Sequence, residues 1–212
     1  MSHFIKVHLI IGLFVMLSSG SVFAIENKGG FRTTKLGLLQ EIYSGTTNRS
    51  FSQGSDGLGL ELSLDDGNTI FRYFFKSRFT YSSGIQNFIT SGTVFNSGYK
   101  YLQFAPEFGA SFFPVPRRTQ GVNVYLWGVA AMSYNNLELK NLPAATNLKS
   151  RDQSFGYGYG AGVGFEYVLA PGKNLSYYLI YGEIGFREER TNLVNYDQFE
   201  VSGLTYSIGI GF

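Results

Sequence analysis

The sequence contains no cysteine. This excludes disulfide bonds, thiol catalysis, cysteine-based metal sites and lipidation of an N-terminal cysteine. The histidines are His3 and His8, and both lie in a leader segment that we expect to be removed. The remaining chain therefore has no imidazole for general-base catalysis or for metal binding. We predict neither an enzyme nor a bound metal or cofactor.

Long apolar runs and an excess of one charge are also missing. Beyond the leader, no stretch stays apolar for the roughly 18 residues that a transmembrane helix needs. The sequence has 17 Lys+Arg and 15 Asp+Glu, and without Lys6 of the leader the balance is 16 against 15. This balance gives no reason to expect a nucleic-acid partner. Charged residues make up only 15%, whereas aromatic residues reach 17% and glycines number 27. If the chain crosses a membrane, it does so with strands.

Residues 1–24 have the organisation of a secretory signal peptide. A basic region with Lys6 precedes the apolar residues 9–17, and a tail of small residues follows. The apolar part is too short for a membrane anchor. We predict a cleaved signal peptide over residues 1–24, a short periplasmic segment over 25–34 and one barrel domain over 35–212.

Apolar residues alternate with small or polar ones along most of the remaining chain. In the clearest case, residues 154–169, aromatic and aliphatic side chains oppose a row of alternate glycines. A period of two is the signature of strands with one apolar face. The glycine row leaves room for the large neighbours Tyr125, Trp127 and Tyr181. The alternation predicts strands at 35–44, 57–65, 69–81, 99–113, 120–133, 154–169, 175–188 and 199–212.

The connections between these strands are of two kinds. Short turns follow the second, fourth and sixth strands, whereas longer polar connections follow the others, a sorting that is typical of outer-membrane barrels. Because hydrocarbon offers no water to unpaired backbone groups, a sheet there has to close on itself. We predict an all-β fold, a closed antiparallel transmembrane β-barrel of about eight strands. The turns are 65–68, 114–118 and 170–174, and the longer connections are 45–56, 82–98, 134–153 and 190–198.

Local features of three segments lead to further expectations. The semi-apolar residues 85–95 either extend the sheet above the membrane or lie over the barrel mouth. Pro106 cannot donate a hydrogen bond to a neighbouring strand, so we expect a bulge or a local irregularity there. The connection 134–153 is rich in polar side chains, including Asn135 and Lys149, and is a candidate contact surface.

Charged side chains recur on the strand face opposite the apolar residues. Because a barrel of about eight strands leaves an interior that side chains largely fill, these charges are expected to point inward and to pair. Five acids and four bases nearly balance, which predicts an ion-paired, plugged lumen. The predicted lumen network consists of Glu41, Glu61, Arg72, Lys76, Arg78, Glu107, Glu166, Glu183 and Arg187.

The last strand ends on an aromatic residue. Leu204 and the four alternate residues after it form an apolar face, opposite small residues such as Gly209 and Gly211. This strand resembles the C-terminal strand of bacterial outer-membrane β-barrels, and the chain as a whole resembles the small OmpX/OmpA-type barrels. The resemblance implies that the barrel-assembly machinery reads the terminal residues. The implied assembly signal is Tyr206, Ile208, Ile210 and Phe212.

Several functions agree with these observations. The first is a structural or surface-interaction barrel in the outer membrane, whose extracellular loops contact a ligand or a host surface. The second is a narrow channel or a small-solute transporter. The third is a secreted barrel that binds a small apolar ligand, like a lipocalin, and buries its apolar face inward. The expected partners of the first are outer-membrane lipid, the assembly machinery during biogenesis and an extracellular ligand.

Overall fold

The chain folds into a closed barrel of eight antiparallel strands, each paired with its neighbours in chain order, in a computed structural model. The structure describes residues 31–43, 56–90, 93–140, 142, 149–169, 178–193 and 196–212, so the predicted signal peptide and the predicted turn 170–174 lie outside the described residues. None of the described residues forms a helix that could cross a membrane. The strands are β1 (Phe31–Tyr43), β2 (Asp56–Gly67), β3 (Phe71–Thr90), β4 (Thr93–Phe112), β5 (Gly121–Lys140), β6 (Arg151–Val168), β7 (Leu179–Leu193) and β8 (Tyr196–Gly211).

The first and last strands close the barrel. β1 pairs with β8 from Lys35 opposite Gly211 to Tyr43 opposite Gly203. Just beyond this ladder, the backbones of Thr34 and Phe212 exchange two hydrogen bonds of 2.8 and 2.9 Å. Closure gives each strand two partners, which removes the unpaired sheet edge that hydrocarbon would not tolerate. The predicted fold class, a closed antiparallel barrel of about eight strands, is confirmed.

Side chains along the strands alternate between an apolar outside and a polar inside. On β6, Phe155 is 76% exposed, and the aromatic residues Tyr157 and Tyr159 also point outward. On β3, Arg72 and Arg78 are each only 1% exposed, whereas Tyr73 between them is 70% exposed. The two faces follow from the strand period of two. Their polarity is the reverse of that in a water-soluble barrel.

The strands are longer at one end of the barrel than predicted. We call the end with the β2–β3, β4–β5 and β6–β7 connections the turn end, and the opposite end the loop end. The prediction of long connections at the loop end is wrong in large part, because only residues 91–92 separate β3 from β4, and only 194–195 separate β7 from β8. Likewise, β5 continues to Lys140 and β6 begins at Arg151. The alternation fades there because outward positions such as Lys100 and Glu138 carry polar rather than apolar side chains.

Among the described residues, a hairpin of β3 and β4 projects furthest at the loop end. β2 pairs with β3 as far as Ser82, and β5 pairs with β4 as far as Gly98. Beyond these points β3 and β4 pair only with each other among the described residues, up to Thr90 opposite Thr93. We call residues 83–97 the β3–β4 ribbon. Of the two alternatives for residues 85–95, the structure shows the one in which they extend the sheet.

Hydrogen bonds to a side chain hold the turn between β2 and β3. β2 continues through Gly67, so the turn lies later than the predicted 65–68. Asn68 Oδ1 accepts hydrogen bonds of 2.8 and 2.7 Å from the amides of Ile70 and Phe71.

In β4, the ladder to β5 skips Ala105 and Pro106, and the register is the same on both sides of the gap. The predicted irregularity at Pro106 is therefore present as a gap rather than as a bulge.

Candidate functional site

The interior of the barrel holds the charged residues that the alternation predicted to point inward. Eight of the nine are buried, and the side chain of the remaining one, Glu183, is 8% exposed. They come from six of the strands and face each other across the barrel, where ion pairs form three groups around Arg78, Lys76 and Glu166. The nine are Glu41 on β1, Glu61 on β2, Arg72, Lys76 and Arg78 on β3, Glu107 on β4, Glu166 on β6, and Glu183 and Arg187 on β7.

Arg78 forms the centre of the upper part of this interior. Its guanidinium pairs with Glu41 on β1, with Glu107 on β4 at 3.0 Å and with Glu189 on β7. Arg187 pairs with the same Glu107. A guanidinium offers five donors in a rigid fork, so a single arginine can hold carboxylates from several strands at once. The ion pairs of Arg78 thus connect opposite walls of the barrel.

An uncharged hydrogen-bond chain continues from this group toward the loop end. Gln103 Nε2 donates to Glu189 Oε2 at 2.8 Å and to Asn135 Oδ1 at 3.0 Å. The Tyr101 hydroxyl donates to the same Asn135 oxygen at 2.5 Å. Asn135 therefore lies inside the barrel on β5, and its placement in a polar surface connection is wrong.

Lys76 forms the centre of the lower part. Its ammonium lies 2.7 Å from Glu183 and 3.4 Å from Glu61. Each carboxylate also accepts a hydrogen bond of 2.8 Å from a tyrosine hydroxyl, Glu183 from Tyr125 and Glu61 from Tyr181. These bonds offset the loss of hydration of the buried carboxylates.

Trp127 lies between the two parts. The Lys76 ammonium is 5.9 Å from the centre of its ring, and the Arg187 guanidinium carbon is 5.1 Å from it. Cations at these distances are attracted by the negative face of the indole. The indole thus contacts one cation of each part.

The β4–β5 connection folds into the turn end of the barrel. Phe113 packs its ring 5.1 Å from that of Tyr125, and Arg117 pairs with Glu166. Backbone hydrogen bonds of 2.8 Å from Phe113 to Ile70 and from Arg117 to Thr69 hold the segment. We call Phe113 and Arg117 the turn-end plug, because both side chains are buried in the interior.

Five charged residues of the interior were missing from the predicted network: Lys35, Asp65, Arg117, Asp152 and Glu189. Lys35 lies 2.9 Å from Asp65 and 3.9 Å from Glu166. Both Lys35 and Asp65 stand on inward positions of their strands, so the alternation could have found them. Glu189 lies one residue beyond the predicted end of its strand. Arg117 comes from a turn, where no period applies.

Arg72 differs from the other predicted bases. Its guanidinium donates to Thr33 Oγ1 at 2.9 Å and to the Asp65 carbonyl oxygen at 3.4 Å. It therefore stands near the turn end and contributes to the lining there rather than to the central pairs.

An apolar cluster lies in the interior at the loop end. The Tyr43 and Tyr101 rings meet edge to face at 6.4 Å, and Tyr43 donates a hydrogen bond of 2.9 Å to Glu41 below. The cluster thus covers the charged layer on the side of the loop end. We call it the loop-end cluster; it consists of Tyr43, Tyr99, Tyr101, Leu137, Leu139, Leu193 and Val201.

Glycines make room for the large interior rings, as the sequence predicted. A Cβ on Gly164 would overlap the Tyr125 ring, and one on Gly162 would lie 2.6 Å from the Trp127 ring. A Cβ on Gly209 would lie 2.7 Å from the ring of Tyr181. Carbon atoms do not approach this closely without displacement, so these glycines are needed for the present packing.

A groove of about 490 Å³ lies on the outer surface where the β3–β4 ribbon leaves the barrel. It is open to the outside. We call it the ribbon groove. Its lining comes from Tyr81, Ser83, Gly84, Ile85, Asn96, Gly98, Tyr99, Lys100 and Lys140.

The terminal strand places its apolar residues on the outer surface. Tyr206, Ile208 and Ile210 are exposed, and Phe212 is half-buried beside β1. Their role as an assembly signal stays a prediction. The described residues contain no group of three histidine, cysteine, aspartate or glutamate side chains that could hold a metal ion.

Comparisons with known proteins give only a likeness in fold. No family model matches the chain, and no curated protein matches it. Among solved structures, the chain is similar to Neisserial surface protein A, with 14% identity, a TM-score of 0.47 and coverage of 87% of this chain and 98% of that one. It is also similar to Ail, the attachment invasion locus protein of Yersinia pestis, with 15% identity, a TM-score of 0.42 and the same coverage. The closed barrel of eight antiparallel strands is, as predicted, the architecture of the small OmpX/OmpA-type barrels.

Proposed function

We propose that the chain is an integral outer-membrane protein with a closed interior, and that its loop end contacts molecules outside the cell. The observation that carries this proposal is the reversed polarity of the barrel, apolar outside and charged inside. It supports neither catalysis nor the storage of a ligand in the lumen, because the interior is filled by side chains that bind one another.

The outer surface supports a location in lipid. Large apolar side chains are exposed around the whole barrel, including Leu58, Phe108, Val124 and Ile208. A lipocalin-like barrel would bury such residues inward around its ligand, so the structure disfavours that alternative. The exposed rings of Tyr73, Tyr81, Tyr157 and Tyr206 and the half-buried ring of Phe212 are candidates for the aromatic girdles at the two membrane surfaces.

The interior supports a barrel that does not conduct. The turn-end plug, the ion pairs of Arg78 and Lys76 and the loop-end cluster follow one another along the barrel. An ion would have to break buried pairs to pass, and buried charges that lose their partners are costly. This arrangement favours a structural or contact role over the channel alternative.

The loop end supports a role in surface contact. Above the apolar surface, the outward positions of the strands become polar, as with Lys100 on β4, Glu138 on β5 and Arg190 on β7. In the part of the chain that the structure describes, the β3–β4 ribbon extends furthest in this direction. Exposed polar elements carried on a rigid barrel are typical sites of recognition.

The proposed location predicts the behaviour of the protein in fractionation. We expect recovery in the outer-membrane fraction, release by detergent but not by salt or carbonate, and a faster-migrating folded band on gels of unheated samples. An epitope inserted between Ser91 and Gly92 should bind antibody on intact cells. Release by a salt wash would contradict the proposed location. Antibody binding only after permeabilisation would show that the loop end faces the periplasm.

The closed interior predicts the absence of conductance. Purified protein reconstituted into planar bilayers should give no current steps above those of protein-free bilayers, while a large open porin prepared in parallel should give clear steps. Insertion can be verified by the unheated band in vesicles of the same lipid. Reproducible unitary steps from the folded protein would favour the channel alternative.

A further inference from the structure

The ribbon groove lies where the apolar outer surface of the barrel gives way to polar side chains. Its lower boundary is Tyr81, next to the outward-facing Leu102 on the neighbouring strand. Its upper part carries Ile85, which is 75% exposed, and the polar residue Asn96. The groove is therefore in contact both with the apolar surface below and with the aqueous side above.

Two lysines supply the positive charge of the groove. Lys140 stands directly opposite Gly98, and Lys100 stands opposite Glu138, so the lysines are diagonal neighbours on the outer face of β4 and β5. Such neighbours lie roughly 7–8 Å apart. A Cβ on Gly98 would be in ordinary contact with Lys140, 3.5 Å from its Cβ and 3.6 Å from its Cδ, so the stem of Lys140 lies over the groove floor.

Neither lysine forms an ion pair with the described part of the protein, and Glu138 does not line the groove. By contrast, the outward-facing Arg190 on the other side of the barrel pairs with Glu188 at 3.0 Å. Positive side chains at this level favour an anionic group.

We propose that the ribbon groove binds a membrane lipid whose phosphate-bearing headgroup has a net negative charge. The phosphate lies between Lys100 and Lys140, and an acyl chain runs down the barrel over Tyr81 and Leu102. The proposal commits to a lipid rather than to free phosphate because the groove continues into the apolar surface. It rests on the proposed membrane location, with the loop end at a membrane surface.

The test is native mass spectrometry of the folded, detergent-solubilised protein with added lipids. Phosphatidylglycerol should bind more tightly than phosphatidylcholine with the same acyl chains. Because a basic residue near an anionic lipid contributes about fivefold in affinity, Lys100→Gln and Lys140→Gln should each weaken phosphatidylglycerol binding about fivefold, and the double variant roughly thirtyfold. Binding of phosphatidylcholine should not change. Glu138→Gln should strengthen phosphatidylglycerol binding, since it removes a nearby negative charge.

The matched control is the double variant Arg118→Gln and Arg190→Gln, which removes the same charge elsewhere on the surface. It should keep its affinity within about twofold. An equal loss in this control, or wild-type affinity in the lysine double variant, would overturn the proposal. Competition by millimolar inorganic phosphate would assign the site to free phosphate instead. If the protein inserts into membranes but the lysine substitutions leave lipid affinity unchanged, only this inference is refuted. Failure of the fractionation experiment would refute the proposed function.

Discussion

Replacement of Arg78 by methionine is expected to lower the free energy of unfolding by about 3–5 kcal/mol, the cost of breaking a buried ion pair from one side. Methionine fills a similar volume but leaves Glu41 and Glu189 buried without their cation, while Glu107 keeps its pair with Arg187. The measurement is urea unfolding in lipid vesicles, followed by the unheated gel band and by the fluorescence of Trp127, the single tryptophan of the sequence.

An exposed ion pair provides the control. Arg190 pairs with Glu188 on the outer surface, and the side chain of Arg190 is half exposed. Because solvent screens such pairs, Arg190→Met should cost no more than about 1 kcal/mol. Addition of Glu41→Gln and Glu189→Gln to Arg78→Met should recover part of the loss, since it removes the unpaired charges. If Arg78→Met cost no more than Arg190→Met, the interior charges would not stabilise the barrel as described.

Replacement of Gly164 by valine is the second large effect that we expect, with a loss of about 3 kcal/mol from overpacking. The three atoms nearest to an added Cβ all belong to the Tyr125 side chain, which stands directly opposite on β5. The ring cannot retreat freely because its hydroxyl donates to Glu183 and its face packs against Phe113. The same urea titration measures the loss.

Gly128 on β5 is the matched control. It is also a strand glycine, but it faces outward, and an added Cβ would meet only the Gly160 carbonyl oxygen at 4.0 Å. Gly128→Val should therefore change stability by no more than about 0.5 kcal/mol. In a Tyr125→Ala background, Gly164→Val should cost much less, because the overlapping ring is gone. An undiminished cost in that background would place the strain elsewhere.

The sequence was sufficient to predict which way the side chains point, because a strand has only two faces. The alternation placed Arg72, Lys76 and Arg78 inside and Tyr73 and Phe79 outside, as observed. It could not predict which charges meet. Arg78 finds its carboxylates on β1, β4 and β7, and that match depends on the register and stagger of strands far apart in the chain.

The errors have two physical origins. Beyond the apolar outer surface the outward positions of the strands no longer need apolar side chains. The apolar alternation therefore stops in the sequence before the strands themselves end. Glu189 and the β3–β4 ribbon were missed for this reason. Arg117 was missed because it enters the barrel from an irregular turn. Its position is seen in the structure from its backbone hydrogen bond to Thr69 and its pair with Glu166.

The ion pairs across the barrel also constrain the order of events during folding. Glu41 and Glu189 lie near opposite ends of the chain, yet both meet Arg78. Neither can do so until β1 and β7 have been brought to the two sides of β3, so the charges stay hydrated until the wall is nearly complete. The chain therefore loses the conformational entropy of closing these long segments before the pairs form. Folding of this barrel should be slow and cooperative, and water should leave the interior in one late step.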